Sequence, residues 1–271
     1  MVSRDKGTIT IHSLTSPASA SVIFSHGLGD TAEGWEDAAR KWAEHLPHVR
    51  FVLPTAPVQP VTWNGGMRMP SWYDIVGLSE KESEECNGIE DSVKNLQKLV
   101  DSEAAQVGGI NRVVVGGFSQ GGALSIFTGL GSIKEKLAGV VVLSGYMPCS
   151  NKFMLTDSGR DTPVLHCHGD RDPLIKMSVA EKTKTCVLSQ GHKGGYEFKI
   201  YLGMAHSANN EEMNDVISFL NNVIPSLHEV VDKNPKDMSV KELKAALGKK
   251  GIDSSKFVEK YEMIAALEAQ Q

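Results

Sequence analysis

The sequence has little of what marks secreted, nucleic-acid-binding or membrane-anchored proteins. Its 271 residues include four cysteines, none in a C-x-x-C pair, and its net charge of −5 comes from interspersed acidic and basic residues. This charge pattern argues against binding to nucleic acid or to an anionic membrane. The opening residues, MVSRDKGTITI, lack an apolar signal core and the glycine that myristoylation needs at position 2. We expect a cytoplasmic protein whose cysteines are free thiols.

Charge is also absent from the 21 residues between Val113 and Ile133. A run of that length could span a bilayer. However, six of its residues are glycine, and paired glycines on each side of a Ser-Gln step make a poor membrane helix. The run instead predicts a buried strand at Val113–Val115, then a sharp turn, then a buried helix that begins near Gly121.

The turn in this run, GFSQG, matches the G-x-S-x-G nucleophile elbow, with Ser119 at its apex. Glycines two residues away on either side let the strand and the helix approach each other without Cβ clashes. The serine hydroxyl would then stand free at the carboxyl edge of a sheet, above a helix N-terminus. A motif this short also occurs by chance, but here the predicted strand, turn and helix follow in the required order.

Short β-rich runs and helical patterns alternate along the chain. The predicted strands are Thr8–His12, Ser21–Phe24, Arg50–Leu53, Arg112–Val115, Gly139–Leu143, Pro163–His168 and Tyr196–Leu202. The predicted helices are Trp35–Leu46, Glu90–Gln106, Gly121–Thr128, Met177–Leu188 and Asn209–Val223. This alternation predicts an α/β fold with a mainly parallel sheet, helices on both faces and a ligand site at the carboxyl ends of the strands.

A nucleophilic serine needs a base and a third group that orients the base. In α/β-hydrolases the acid and then the histidine follow the serine in the chain. His206 comes just after the carboxyl end of the strand Tyr196–Leu202. His192 precedes that strand, at the wrong end of the sheet, and His228 follows the last helix of the pattern. We therefore expect His206 to be the base for Ser119.

The acid is expected in the loop after the strand Pro163–His168. That loop reads GDRDP and contains Asp170 and Asp172. We favour Asp172 because it lies deeper in the loop, where a histidine from the next loop can reach it. Asp170 would then cap the loop by accepting backbone N–H groups.

A different class of enzyme would use the same segment as a metal site. His166, His168, Asp170 and Asp172 alternate there as four potential ligands, a partial match to the H-x-H-x-D-H pattern of zinc hydrolases. The last histidine of that pattern is missing, and the metal site would leave the elbow without a role. We expect no cofactor and no metal, and keep the metal-dependent hydrolase as an alternative.

Two backbone N–H groups are expected to form an oxyanion hole. One belongs to Gln120, directly after the nucleophile, and the other to Leu28 in the loop SHGLGD that follows the strand Ser21–Phe24. His26 lies in the same loop but precedes the serine in the chain. It is therefore expected to brace the loop rather than to act as a base.

Six segments together closely resemble the acyl-protein thioesterases, also classed as lysophospholipase-like carboxylesterases: SHGLGDTAEGW, PTAPVQPVT, MPSWYDI, GGFSQGGALS, CHGDRDPL and GMAHS. The resemblance implies an α/β-hydrolase fold and a serine hydrolase that removes palmitoyl-type acyl groups from protein cysteines. Lysophospholipids and small esters are the alternative substrates, and transient contact with a membrane surface is compatible with either. Matched motif by motif, the resemblance places the triad on Ser119, Asp172 and His206, and the oxyanion donors on Leu28 and Gln120.

The same resemblance assigns the loop Thr62–Leu78 to the acyl chain. Flexible methionines and flat aromatic side chains suit an alkyl chain, whereas the alternative is that Trp72 and Ile75 only anchor the loop. The candidate residues are Trp63, Met67, Met69, Trp72, Tyr73 and Ile75. Tyr146 stands after the strand Gly139–Leu143, where family members often carry tryptophan. We expect Tyr146 to border the site and to alter the preferred chain length.

The residues beyond the resemblance predict a second, smaller unit. We assign 1–228 to the hydrolase domain, 229–236 to a linker and 237–271 to a helical extension that resembles the SAP module. Ser239 and Glu242 form a capping box. Apolar residues follow at helical spacing: Val240, Leu243, Leu247, Ile252, Phe257, Met263, Ile264 and Leu267.

The charge of this extension bears on its partner. Eight lysines balance eight acidic residues from Glu229 to Gln271, so we expect a protein partner, or packing on the hydrolase, rather than nucleic acid. One further alternative concerns the whole chain, which would then be a non-catalytic binding module with a vestigial triad.

Overall fold

The computed structural model describes residues 1–77, 85–227, 235–249, 251–257 and 259–269. The chain divides into two compact units, Met1–Ser226 and Leu227–Gln271. The first unit ends close to residue 228, where we place the end of the hydrolase domain. Most of the proposed linker, 229–236, lies outside the described residues, as does Leu78 at the end of the proposed acyl-chain loop.

The first unit is built on an eight-stranded sheet and a separate two-stranded hairpin. The sheet strands are β1 (Val2–Asp5), β2 (Thr8–Ile11), β3 (Ala20–Ser25), β4 (Val49–Pro54), β7 (Val113–Phe118), β8 (Gly139–Leu143), β9 (Val164–Gly169) and β10 (Tyr196–Tyr201); the hairpin strands are β5 (Val58–Val61) and β6 (Met67–Pro70). The sheet order is β1-β2-β4-β3-β7-β8-β9-β10. Within this sheet the neighbours from β4 through β3, β7, β8 and β9 to β10 run parallel, whereas the β1–β2 and β2–β4 pairs are antiparallel, as is the β5–β6 hairpin.

Helices cover both faces of this sheet. Those of the first unit are α1 (Glu33–His45), α2 (Ile89–Val107), α3 (Gln120–Gly131), the short α4 (Asp157–Arg160), α5 (Met177–Ser189) and α6 (Asn210–Val223). Helices α1 and α6 share one apolar core with the sheet, and α2, α3 and α5 share the core on the other face. Strands β3, β8 and β9 are buried along their whole length, as expected for strands covered on both sides. The predicted α/β fold with a mainly parallel sheet is confirmed.

The uncharged run between Val113 and Ile133 is strand β7 followed by helix α3, as the sequence predicts. Within the described ranges, no helix combines the length and the hydropathy that crossing a membrane requires. The prediction missed β1, β5, β6 and α4, each of which has only four residues. Elements that short show too little periodicity to be recognised, and Pro60 and Pro70 further weaken the strand signal of the hairpin.

Among its described residues, the second unit contains the helices α7 (Val240–Lys249) and α8 (Lys260–Glu268). The side chains of Leu243, Leu247, Met263 and Leu267 are buried against one another and form its core. The capping box is present, since Ser239 N donates to Glu242 Oε2 at 2.7 Å and Glu242 N donates to Ser239 Oγ at 3.3 Å. Val240, which we expected in the apolar pattern, is instead 43% exposed.

Candidate active site

Ser119 stands between β7 and α3 in an unusual backbone conformation, with φ 53° and ψ −118°. A positive φ is uncommon for a residue with a side chain and requires support from the surrounding structure. The Ser119 N–H donates to the Leu143 carbonyl at 2.8 Å, and the Ser119 carbonyl accepts from the Ala123 N–H at 2.9 Å. The end of β8 and the first turn of α3 therefore hold the serine at the carboxyl edge of the sheet.

The two elbow glycines are required by close backbone packing. A Cβ on Gly121 would overlap the carbonyl oxygens of Ser25 and His26, and a Cβ on Gly117 would lie 2.6 Å from the Ser25 oxygen. Glycine at both positions therefore lets the turn rest directly on the end of β3. The loop that follows β3 carries Leu28, so the same contact brings that loop beside Ser119.

His206 and Asp172 complete a hydrogen-bonded chain with the serine. His206 Nε2 lies 2.9 Å from Ser119 Oγ, and His206 Nδ1 lies 2.7 Å from Asp172 Oδ2. The Phe118 ring packs against the imidazole with 4.8 Å between ring centroids. A tautomer that donates the Nδ1 hydrogen to Asp172 leaves Nε2 as the acceptor for the serine hydroxyl. This is the arrangement that activates a serine nucleophile.

Asp172 is held in place by its own loop. Its side chain is buried, and Oδ1 accepts the backbone N–H groups of Leu174 and Ile175, each at 2.9 Å. Burial opposes ionisation, but the hydrogen bonds from His206 and Ile175 outweigh it and lower the pKa of Asp172. The carboxylate is therefore ionised at neutral pH. Asp170 caps the loop instead, since its Oδ1 accepts from the Gly203 N–H at 2.6 Å.

The Leu28 and Gln120 backbone N–H groups lie beside the serine. Leu28 lines the same cavity as Ser119 and His206, and Gln120 is the first residue of α3. Neither N–H has an acceptor among the residues that the structure describes. The Gln120 N–H stands at a helix N-terminus, where unpaired donors attract negative charge, and the Leu28 N–H is an unpaired donor in the loop beside it. Both are therefore candidates for binding an oxyanion.

His26 braces the loop that follows β3, as we expect from the sequence. Its Nδ1 bonds to the Gly27 carbonyl at 2.6 Å, and its Nε2 accepts the Ala56 N–H at 3.0 Å. Burial lowers the pKa of His26 despite the hydrogen bond to Gly27. The imidazole is therefore neutral and occupied on both nitrogens.

A cavity of about 200 Å³ opens onto Ser119 and His206, and its walls include the apolar side chains of Leu28, Leu174 and Ile175. Three residues predicted for the acyl chain line it: Trp63, Ile75 and Tyr146. A larger cavity, about 670 Å³, lies between α1 and α6, but its walls contain neither Ser119 nor His206. We therefore place the reaction at the smaller cavity.

Four residues predicted for the acyl chain occupy other places: Met67, Met69, Trp72 and Tyr73 are not among the described residues that line the cavity. Met67 is 63% exposed on β6, and Met69 follows it on the same strand. The Trp72 indole N–H donates to the His26 carbonyl at 2.8 Å, and the Tyr73 and Tyr146 hydroxyls are 2.8 Å apart. Trp72 thus anchors the loop, as the alternative interpretation states, whereas Tyr73 lies behind Tyr146.

The Gln120 side chain explains why Trp72 and Tyr73 point inward. Its amide oxygen accepts the backbone N–H of Trp72 at 3.0 Å, and its amide nitrogen donates to the Tyr73 carbonyl at 2.8 Å. The side chain is completely buried. Gln120 therefore has a structural role in its side chain as well as the oxyanion role expected for its backbone N–H, and the sequence pattern does not indicate this second role.

The alternative metal ligands do not converge. His166 Nδ1 lies 2.7 Å from the Tyr196 hydroxyl, and His168 Nε2 lies 2.7 Å from the Ile175 carbonyl oxygen. Asp170 and Asp172 bond to Gly203 and His206 as described above. In the described part of the chain, no group of three or more His, Cys, Asp or Glu side chains is placed to hold a metal ion. The alternation in sequence therefore does not produce a metal site in space.

Comparisons with known proteins agree with this geometry. The profile of the phospholipase/carboxylesterase family matches residues 6–224. Acyl-protein thioesterase 1 of Mycosarcoma maydis is 40% identical over 222 residues, covering 76% of this chain and 92% of the relative. The Neurospora crassa acyl-protein thioesterase 1 is 38% identical over 226 residues, covering 79% and 90%.

A solved structure shows the same fold. The Zea mays acyl-protein thioesterase 2 crystal structure matches with a TM-score of 0.66 at 25% identity, over 80% of this chain and 98% of that one. These matches and the hydrogen-bonded serine, histidine and aspartate lead to one conclusion. The chain belongs to the phospholipase/carboxylesterase family and is a serine hydrolase of the acyl-protein thioesterase/carboxylesterase type.

Proposed function

We propose that the protein hydrolyses long-chain acyl thioesters on protein cysteines, with Ser119 as nucleophile, His206 as base and Asp172 as the acid that orients the base. The hydrogen-bonded chain from Ser119 to Asp172 carries this proposal. The apolar wall of the adjacent cavity supports an acyl substrate. The relatives from M. maydis and N. crassa bear the name acyl-protein thioesterase 1.

The reaction proceeds through an acyl-enzyme. His206 Nε2 takes the hydroxyl proton as Ser119 Oγ attacks the thioester carbonyl carbon. The Leu28 and Gln120 N–H groups bind the oxyanion that forms. Collapse of this intermediate breaks the C–S bond, and His206 returns the proton to the departing cysteine sulfur. A water molecule, deprotonated by His206, then attacks the acyl carbon, and the fatty acid leaves as Ser119 regains its proton.

Ser119→Ala tests the nucleophile. We expect a loss of about 10⁴-fold or more in kcat on a p-nitrophenyl ester, since the hydroxyl forms the covalent intermediate. Ser125→Ala is the matched control, because Ser125 is a buried serine on α3, the helix that begins directly after Ser119. A fluorophosphonate probe should label the wild type and the control but not Ser119→Ala.

Two outcomes would contradict this assignment. One is retention of more than about one per cent of the activity in Ser119→Ala, a far smaller loss than triad removal causes. The other is complete loss of wild-type activity in EDTA with recovery on zinc addition, which would restore the metal-dependent alternative. Absence of turnover on every ester and thioester would favour the binding-module alternative.

Substrate choice depends on the cavity and its rim. A volume of about 200 Å³ is below the range of roughly 300–1,000 Å³ for pockets that enclose a whole drug-sized ligand. The first part of an acyl chain therefore fits beside Ile75 and Tyr146. The remainder would lie along Trp63 and Leu174, which are 45% and 47% exposed.

The rate across acyl lengths distinguishes the candidate substrates. We expect medium and long acyl thioesters to react faster than acetyl esters, because each buried methylene contributes up to about 0.8 kcal/mol. Lysophospholipids and small esters are the second candidate, favoured by the family's phospholipase/carboxylesterase description. Thioesters and oxygen esters of two to sixteen carbons should be compared at equal concentration. A flat profile, or faster reaction of oxygen esters, would favour this second candidate.

A further inference from the structure

We propose that His168 is a positioning residue for Asp172 and, through Asp172, for the base His206; this inference rests on the proposed roles of the triad. His168 lies on β9 and is completely buried. Its Nε2 is 2.7 Å from the Ile175 carbonyl oxygen and 3.7 Å from Asp172 Oδ2. It touches neither Ser119 nor the cavity among the described residues.

The backbone of Ile175 transmits the effect of His168, through the two peptide groups on either side of its Cα. Its N–H donates to Asp172 Oδ1 at 2.9 Å, together with the neighbouring Leu174 N–H. The Ile175 carbonyl accepts from His168. Ile175 is therefore held at both ends: its N–H is hydrogen-bonded to the Asp172 carboxylate, and its carbonyl is hydrogen-bonded to the His168 imidazole. This contact fixes the turn that keeps Asp172 Oδ2 directed at His206 Nδ1.

The protonation state of His168 follows from its surroundings. Burial lowers the pKa of His168, although the bond to Ile175 and the charge of Asp172 act in the opposite direction. The imidazole is therefore neutral, and a bond to a carbonyl requires the hydrogen on Nε2. His168 Nδ1 then has no hydrogen and, within the described residues, no partner. Because a buried acceptor without a partner lowers stability, Nδ1 does not stabilise the fold. The hydrogen bond that Nε2 donates to Ile175 is the contribution of this side chain.

The experiment exploits the position of that donor. Glutamine places an amide N–H close to where His168 carries Nε2–H, whereas the shorter asparagine does not reach it. We expect His168→Asn to lower kcat on a small ester by about 10–100-fold with KM within twofold, because a misplacement of about 1 Å costs on that order. His168→Gln should recover most of kcat. The low-field proton resonance of His206 Nδ1–H should weaken in His168→Asn and return in His168→Gln.

His192 supplies a matched control at the other end of the sheet. It is also buried, its Nε2 bonds to the Thr162 carbonyl at 2.9 Å, and its Nδ1 likewise lacks a partner among the described residues. His192→Asn should leave kcat and the low-field resonance unchanged, whatever it does to the melting temperature. A buried histidine with a purely structural role would give the same result at position 168.

Several results would overturn the inference. Wild-type kcat in folded His168→Asn would do so, as would equal losses in the asparagine and glutamine variants with an intact resonance. If His168→Asn does not fold, His168→Met is the substitute, because methionine fills the volume without supplying a hydrogen-bond donor. A kcat of His168→Met equal to that of His168→Gln would contradict the inference. Failure of the triad itself is recognised separately, by turnover in Ser119→Ala.

Discussion

At the scale of single residues, two buried carboxyl groups of this protein ionise differently because their partners differ. Asp172 is surrounded by donors, and its pKa falls despite burial. Glu212, on α6, is completely buried. Burial raises its pKa to about 8; the backbone N–H of Asn209 acts in the opposite direction but does not outweigh burial, and the nearby charge of Asp215 adds to the rise. Glu212 is therefore protonated at neutral pH.

This protonation predicts a pH-dependent stability. The pKa of Glu212 is higher in the folded chain than its ordinary value of 4.5, so folding is coupled to uptake of one proton between these limits. Its contribution to the free energy of unfolding is complete below about pH 4.5 and is lost once the pH has risen through about 8. The slope from this residue is at most about 1.4 kcal/mol per pH unit.

Urea unfolding from pH 5 to 9 tests this prediction with Glu212→Gln, which stays neutral throughout. The free energy of unfolding of the wild type should fall relative to that of the variant as the pH rises. Glu211→Gln removes an exposed carboxylate from the same helical turn and should keep the wild-type slope. Parallel curves for the wild type and Glu212→Gln would show that Glu212 is not protonated in the folded chain.

At the scale of elements, the site depends on how closely β3, β7 and α3 approach one another. The elbow glycines leave no room for a Cβ between the turn and the end of β3. The same contact sets the distance between Ser119 and the Leu28 loop. Gln120 adds a third link, because its side chain ties α3 to Trp72 and Tyr73.

Gly121→Ala tests this packing. The added methyl would overlap the Ser25 carbonyl oxygen, so α3 or the β3 loop must move away. A shift of about 1 Å should lower kcat on a small ester by about 100-fold and reduce the melting temperature. Gly248→Ala is the control, because Gly248 lies on helix α7 and an added Cβ there would have no atom within 4 Å. The higher helix propensity of alanine should raise the free energy of unfolding by up to about 1 kcal/mol. Wild-type kcat in Gly121→Ala would refute the packing argument.

At the scale of the whole molecule, the catalytic machinery and the C-terminal helices belong to different compact units. Ser119, Asp172 and His206 lie in the first, which has its own two apolar cores. The second has a small core of its own. We therefore propose that residues 1–228 act as the hydrolase domain, and that the extension 237–271 serves a protein partner.

A stop codon after Leu227 tests this division. The shortened chain should fold and hydrolyse small esters with kcat within about threefold of the full chain, because its cores and triad are complete. Activity on an acylated protein, location or oligomeric state should change if the extension binds a partner. Circular dichroism and esterase assays would check the first expectation. A shortened chain that cannot fold would mean that the extension is a structural clamp.

The sequence by itself determined the order of the longer strands and helices and which loops carry the proposed triad. Both depend on local patterns: the strand and helix periods, and the glycines that flank Ser119. The carboxyl ends of parallel strands meet at one edge of a sheet, so the loops with Asp172 and His206 could be chosen from chain order alone. Resemblance to a family then assigned a substrate class, which the fold does not specify.

Only the tertiary structure decided the directions of side chains in the segment 62–77, which contains β6. Trp63 and Ile75 line the cavity, whereas Trp72 turns inward, and the segment has no periodic pattern that distinguishes them. The direction of Trp72 depends on Gln120 and His26, which lie 48 and 46 positions away in the chain. The hydrogen-bonded link from His168 through Ile175 to Asp172 could not be predicted from the sequence either. A hydrogen bond to a backbone carbonyl is compatible with almost any residue type at the acceptor position, so it leaves no trace in the sequence.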